Sequence, residues 1–174
     1  MKPEHSIHTI SVLVHNHPGV MARVASLFTR RGFNVDSITA GKAKNEDMLR
    51  LTIVVEADRK SLEQIQKQLY KVIDTVKVSL IEPDLRVERE LALIKVKSPG
   101  GLQTELFQLV QVFKGRVVDA NPSGFIVEIT GPVAKIDAFV NLISRNSIIE
   151  IARTGTVAIN KWPVKVPVSK ERRL

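Results

Sequence analysis

The segment Asn16–Gly19, Asn-His-Pro-Gly, is the part of the sequence whose residue types best suit ligand chemistry. It separates an apolar run, residues 7–14, from apolar residues that recur at helical spacing from Val20 onward. A helix N-terminus presents unpaired amides and a positive dipole end, and both attract anions. The backbone of Gly19, Val20 and Met21 could therefore receive a carboxylate. A simple tight turn explains the same proline and glycine and stays open as an alternative.

An amino-acid ligand would also bring an ammonium group, which needs carbonyl or amide oxygens as acceptors. Asn16 lies just before the turn. Asn34 opens the next predicted strand, and we expect this strand to lie close to the first. The residues predict a site for a small amino acid if both asparagines reach it.

Metal and catalytic chemistry find little support in the sequence. All four histidines, His5, His8, His15 and His17, lie within the first seventeen residues. His15 and His17 make a metal site conceivable, but nothing supplies the remaining ligands, so loop histidines are the better interpretation. The chain has no cysteine and none of the usual hydrolase, phosphate-loop or zinc-protease motifs. We therefore expect neither a catalytic centre nor a metal site.

The net charge of +8 suggests nucleic acid, but its distribution weakens that interpretation. Residues 161–174 hold five Lys or Arg against one Glu, which gives +4 for the tail alone. We expect weak, non-specific binding at most. The sequence also lacks a long apolar run and a signal-peptide core, so we expect a cytoplasmic protein without membrane contact.

Periodicity in the first half predicts the order β-α-β-β-α-β. Gly32 should end the first helix, the second strand should contain a bulge, and Asp58 or Ser61 should cap the second helix. The predicted elements are a strand at 7–14, a helix at 20–31, strands at 34–43 and 48–55, a helix at 62–73 and a strand at 76–80.

The second half repeats this order at an offset of about 80 residues. Pro132 should occupy the first position of its second helix. The elements are a strand at 89–97, a break at 98–101, a helix at 102–113, a hairpin at 116–130, a helix at 132–143, a strand at 147–152 and an added strand within 154–162. We predict an α+β protein with two tandem ferredoxin-like domains, 1–83 and 84–162, and a basic tail, 163–174.

Each predicted sheet has helices on one face, so the other face must be wet or meet a partner. Apolar side chains on both sides of the strands favour a partner; they are Leu13, Val54, Ile81, Leu93 and Ile126.

RNA-recognition modules share this topology, but they stack bases on aromatic side chains of the central strands. The matching strands, 7–14 and 48–56, contain no Phe, Tyr or Trp.

The turn with its following helix resembles an ACT domain, a small ligand-sensing module. More specifically, four ordered stretches closely resemble the small, regulatory subunit of acetolactate synthase. These stretches are residues 10–41, 62–78, 87–96 and 127–159. The resemblance implies that the N-terminal ferredoxin-like domain is an ACT domain and that the chain binds a catalytic subunit, activates it and confers feedback inhibition by valine.

The same resemblance implies where the effector and the cofactors belong. Thiamine diphosphate, Mg²⁺ and FAD reside in the catalytic subunit, and this chain carries none of them. Two N-terminal ACT domains pair side by side as a homodimer, and valine lies between the turn of one chain and the second strand of the other. The implied residues are Asn16, Gly19, Val20 and Met21 in the turn, and Asn34, Val35, Asp36, Ser37 and Ile38 in the strand.

The second half offers no equivalent site, because Arg116 stands where the first half has Asn34.

A stand-alone, amino-acid-responsive regulator that binds nucleic acid through the tail is the alternative function. A metal-binding enzyme built on the histidines is a weaker one.

Overall fold

The computed structural model describes residues 6–97, 103–143 and 147–162, without the side chains of Arg31 and Gln103. The predicted break at 98–101 and the basic tail, 163–174, lie outside these residues. The elements are β1 (Ser6–His15), α1 (Val20–Arg31), β2 (Val35–Lys42), β3 (Met48–Ala57), α2 (Arg59–Tyr70), β4 (Thr75–Ile81), a 3₁₀ turn (Pro83–Leu85), β5 (Arg86–Lys97), α3 (Gln103–Val112), β6 (Arg116–Asn121), β7 (Gly124–Gly131), α4 (Val133–Leu142), β8 (Ile148–Arg153) and β9 (Val157–Asn160).

Two antiparallel sheets follow one another along the chain. The first has the strand order β2-β3-β1-β4, and the second has β6-β7-β5-β8. Both orders are those of a ferredoxin-like β-α-β-β-α-β unit, so the predicted fold class is confirmed. The added strand is also confirmed, because β9 pairs with Arg86–Arg89 at the start of β5. We call residues 86–89 and 157–160 the β5–β9 ribbon.

The first core forms because alternate residues of the central strands point towards the helices. Ile10 and Val12 of β1 and Ile53 of β3 are fully buried, and they pack with Val24 of α1 and Ile65 of α2. Each such side chain contributes about 1.5–3 kcal/mol when it leaves water. The helix ends follow the sequence signals: Gly32 caps α1, and the Asp58 side chain accepts a bond from Ser61 N at the start of α2.

The second core is built in the same way around α4. Phe139 and Ile136 of this helix are fully buried against Ile94 of β5 and Val127 of β7. The prediction for Pro132 is wrong by one residue, since it is the N-cap with extended backbone (ψ 153°) and Val133 is the first helical residue. A proline N-cap fits because its missing N–H would have no partner inside the helix.

The β5–β9 ribbon lies against the face of the first sheet that points away from the helices. Polar side chains are buried there: Thr9 is 1% exposed, Ser11 4% and Thr52 3%. Ile81, on the same face, is 2% exposed. The partner predicted for this face of the first sheet is therefore, in part, the second half of the same chain. On the second sheet, Leu93 stays 39% exposed.

A glycine allows a close approach between the two halves. Gly155 has φ +77°, and a Cβ at this position would lie 2.8 Å from Thr39 Oγ1 and 3.2 Å from Ser37 Cβ. Thr39 Oγ1 donates to the carbonyl oxygen of Thr154 at 3.2 Å. Strand β2 is thus held against the loop between β8 and β9.

Among the described residues, every helix is too short or too polar to cross a lipid bilayer.

Candidate effector site

The turn between β1 and α1 leaves several amides open at the start of the helix. Gly19 is the N-cap in the left-handed region, with φ 81° and ψ 0°, and no side chain caps α1. The first helical bond runs from Arg23 N to Gly19 O, at 3.0 Å. Within the described residues, the amides of Gly19, Met21 and Ala22 have no acceptor. Such a group of unpaired N–H donors favours an anion.

Val20 does not take the predicted part in this group of amides. Its N–H donates to His17 O at 3.2 Å, which closes the turn. Its side chain is 3% exposed and belongs to the first core. The prediction of a free amide at Val20 is therefore wrong, and Ala22 supplies a free amide that the prediction did not include.

A buried carboxylate fixes the shape of the turn. Asp74 is 4% exposed and accepts hydrogen bonds from His17 Nδ1 at 2.8 Å and from Arg23 Nε at 3.0 Å. Its main-chain oxygen accepts from His15 N at 2.8 Å, and Arg23 Nη2 donates to Pro18 O at 3.3 Å. We call Asp74, His17 and Arg23 the turn clamp. It holds both sides of the loop and thereby sets the direction of the open amides.

The turn clamp also determines the charge on Asp74. Hydrogen bonds from His17 and then from Arg23 lower the pKa of the Asp74 carboxyl below its ordinary value, although burial opposes them. The carboxylate is therefore ionised at neutral pH. His17 is engaged in this contact, and its ring stacks on that of His15 with centroids 5.6 Å apart. No group of three or more His, Asp or Glu side chains placed to hold a metal occurs in the described part of the chain.

Strand β2 does not bring Asn34 near the turn of the same chain. Strand β3 lies between β1 and β2. Val35 is level with Val55, which is level with His8 of β1, whereas the turn follows His15. Seven residues of strand separate these levels, or about 24 Å at about 3.4 Å per residue. The prediction that the strand opened by Asn34 lies close to the first strand is therefore wrong, and within one chain Asn34 is far from the turn.

Strand β2 instead forms an edge of the first sheet. It pairs with β3 alone among the described strands, so its other edge has free backbone groups. The predicted bulge is present, because Asp36 has no partner between the pairs Val35↔Val55 and Ser37↔Val54. Ile38 packs against the first core, and Asn34 and Asp36 are exposed. The free edge is open to a strand from another chain.

Sequence reasoning missed the residues that shape the turn from a distance. Asp74 stands 57 positions after His17, in the short connection before β4, and no local pattern links the two. Asp47 is a second case, since its main-chain oxygen accepts from Asn16 N at 2.8 Å. In the second half, Arg116 Nε donates to Glu128 Oε1 at 2.9 Å, so the residue in the place of Asn34 already has a partner there.

Comparison with known proteins identifies the family of the chain. The family model for the small subunit of acetolactate synthase matches residues 89–162, and the model for the small-subunit-like ACT domain of acetohydroxyacid synthase matches residues 10–77. A probable acetolactate synthase small subunit of Archaeoglobus fulgidus is 51% identical over 152 residues, which cover 87% of this chain and 95% of that protein. The acetolactate synthase small subunit of Mycobacterium leprae is 43% identical over 156 residues, 90% and 92% of the two chains.

A solved structure shows the same architecture. The crystal structure of the acetolactate synthase small subunit from Thermotoga maritima matches with a TM-score of 0.86 and 51% identity, over 91% of this chain and 99% of that one. Identity at this level, over nearly the whole length of each relative, covers both ferredoxin-like halves. The chain therefore belongs to the family of acetolactate synthase small subunits.

Proposed function

We propose that this chain is a non-catalytic regulatory subunit that activates the catalytic subunit of acetolactate synthase and makes it sensitive to valine. The observation that carries the proposal is the open helix start after β1. Free amides of Gly19, Met21 and Ala22 stand at the positive end of α1, and the turn clamp holds them in place. A valine carboxylate is an anion of the right size for this group of donors.

The effector site is completed by a second copy of the chain. Asn34 and the turn lie at opposite ends of the sheet in one chain, so one chain cannot offer both to a small ligand. Pairing of the free β2 edge with its antiparallel copy reverses the direction of the second strand. The Asn34 end of one chain then approaches the turn end of the other, which supports a two-fold dimer with shared effector sites.

The contact between β2 and the second half supports a route from effector to partner. Ser37 and Ile38 belong to the proposed valine-binding strand, and Thr39 follows them directly. Thr39 and Ser37 pack against Gly155, and Thr39 is hydrogen bonded to Thr154. A ligand that shifts β2 therefore acts on the loop between β8 and β9. A contact between the ligand-binding strand and a loop of the other half is a physical means of coupling distant sites.

The catalytic cofactors belong to the partner in this proposal. Thiamine diphosphate, Mg²⁺ and FAD bind the catalytic subunit, and this chain contributes surface contacts and an effector site. The alternative of a nucleic-acid regulator lacks an aromatic platform in the first sheet, since its two central strands, β1 and β3, carry no Phe, Tyr or Trp.

Reconstitution with the catalytic subunit tests the proposed function. Acetolactate formation from pyruvate is measured for the catalytic subunit alone, for this chain alone and for the mixture, each with and without valine. We expect no turnover by this chain alone, a higher rate in the mixture and a valine-dependent loss of that rate. Equal rates with and without this chain would contradict activation, and a valine-independent mixture would contradict the sensory role.

A further inference from the structure

The face of the first sheet that points away from its helices carries a cavity that the proposed effector site does not use. The cavity lies between strands β2 and β3 on one side and the β5–β9 ribbon on the other, and it has a volume of about 390 Å³. Val87, Val157 and Ile159 of the ribbon form its apolar wall. This volume falls within the range of small-molecule sites.

The charges around this cavity have one sign. Lys42, Arg50 and Arg89 line it, and no Asp or Glu does. Within the described part of the chain, none of the three forms an ion pair with a carboxylate. The one carboxylate of the ribbon, Glu88, is paired with Arg86 at 2.6 Å. Three cations without counter-charges beside an apolar wall favour an anion with an apolar body.

Two hydroxyl groups line the same place. A second cavity of about 270 Å³ shares Arg50 and Ile159 with the first, and Lys77 and Ser11 line it. Ser11 is 4% exposed, and its Oγ accepts from Arg50 Nη1 at 2.9 Å. Its own proton has no acceptor in the described residues. Thr52, 3% exposed, lines the first cavity and makes no side-chain hydrogen bond with described residues. These hydroxyls add hydrogen-bonding groups beside the cations that line the two cavities.

We propose that the two adjacent cavities form a binding site for a small organic anion. Its carboxylate or phosphate group lies at Arg50, within reach of Lys77 and the Ser11 hydroxyl. Its apolar body lies against Val157 and Ile159 of the ribbon. This site is distinct from the valine site, because the implied effector residues end at Ile38 on β2 and the cavity begins at Thr39 on the sheet face without helices.

The ligand would touch both halves of the chain. The first sheet supplies Lys42, Arg50, Lys77 and the hydroxyls, and the ribbon supplies the apolar wall and Arg89. A ligand that binds only this arrangement stabilises it by mass action. The site therefore gives the chain a second ligand besides valine, and this ligand fixes the position of the ribbon relative to the first sheet.

Calorimetry with three probes tests the site on the full-length chain. The probes are 4-methylpentanoate, inorganic phosphate and the uncharged 4-methylpentan-1-ol. We expect 4-methylpentanoate to bind in a saturable manner, phosphate to bind more weakly and the alcohol not to bind. Arg50→Gln should weaken 4-methylpentanoate at least about tenfold, which is the size expected from the loss of one charge-assisted contact. Lys60→Gln, the same charge change on the helix face of the first sheet, should leave it unchanged.

Several results would overturn the proposal. They are equal affinity of wild-type and Arg50→Gln protein, equal loss in Lys60→Gln, equal binding of acid and alcohol, or no saturable binding of either anion. Circular dichroism tests whether each variant is folded. Arg89→Gln provides a second variant if Arg50→Gln unfolds, and it must then weaken the binding. Saturating valine should not displace 4-methylpentanoate, and competition between the two would place the anion in the effector site.

Discussion

A charge placed at Gly19 should abolish valine binding, whereas a neutral side chain of the same shape should not. Gly19→Asp puts a carboxylate at the N-cap, beside the amides that receive the valine carboxylate. Two negative charges roughly 5 Å apart at an effective dielectric constant of about 20 repel by about 3 kcal/mol. This corresponds to a loss of affinity on the order of 100-fold. Arg23 offsets part of this repulsion, but Asp74 already occupies its Nε and Nη2.

The neutral control is Gly19→Asn. Both variants place a Cβ on a backbone with φ 81°, 3.1 Å from Arg23 Nη1. They therefore share the backbone strain, which costs about 1–2 kcal/mol for an L-residue and less for Asn or Asp. Urea unfolding should give similar free energies of unfolding for the two variants. The difference between their valine affinities then isolates the charge.

Calorimetry measures the valine affinity of both variants, and the reconstituted enzyme measures their inhibition by valine. We expect near-complete loss of valine binding in Gly19→Asp, a modest loss in Gly19→Asn and retained activation of the catalytic subunit in both. Equal valine affinity for the two variants would show that no carboxylate lies at this helix start and would refute the reasoning.

Three further predictions concern stability. The pKa of Asp74 is lowered in the folded chain, so the unfolded chain binds a proton there more readily. The resulting contribution to the free energy of unfolding is fully present above the ordinary carboxyl pKa of 3.8. It is lost as the pH falls through the folded pKa. Urea unfolding between pH 6 and pH 3 should therefore show a shallower acid loss in Asp74→Asn, and an equal loss would contradict the clamp. Gly155→Ala should lower the free energy of unfolding by about 1–2 kcal/mol, because its φ is +77°. Gly41→Ala, in open space, should change it by less than about 0.5 kcal/mol, and equal effects would contradict the tight contact. Phe139→Ala, at 0% exposure, should cost about 3–5 kcal/mol in the same assay. Leu142→Ala, at 63% exposure, should cost far less, and similar values would show that α4 is not seated in the core.

Most of the fold could be predicted from the sequence because its elements depend on local patterns. The helix at 20–31 agrees with prediction in both bounds, since an apolar stripe, a Pro-Gly start and a Gly stop all act within a few residues. The bulge in β2 was also predictable from its broken alternation. Pro132 shows the limit of such signals, because proline suits both the N-cap and the first helical position.

The site was less predictable because its geometry depends on contacts between distant residues. The residues around the turn were found from their types, but which amides stay free depends on the His17–Val20 turn bond. The role of Asp74 depends on the approach of β4 to β1, which no local pattern reports. The position of Asn34 was misjudged because strand order, not sequence neighbourhood, decides which strands touch. Strand β9 of the ribbon could be predicted, but the start of β5 at Arg86 and the place of the ribbon on the first sheet could not.

Mixing two variants that each fail to bind valine tests most directly whether the effector site is shared between two chains. Gly19→Asp removes the turn half of the site, and Asn34→Lys removes the strand half by placing a cation beside the valine ammonium. Each variant alone should bind no valine by calorimetry. After the two are mixed, unfolded and refolded together, a two-fold dimer with shared sites restores one intact site in each mixed dimer, or about one quarter of the wild-type number. No recovery of valine binding in a mixture that contains mixed dimers would contradict a site built from two chains.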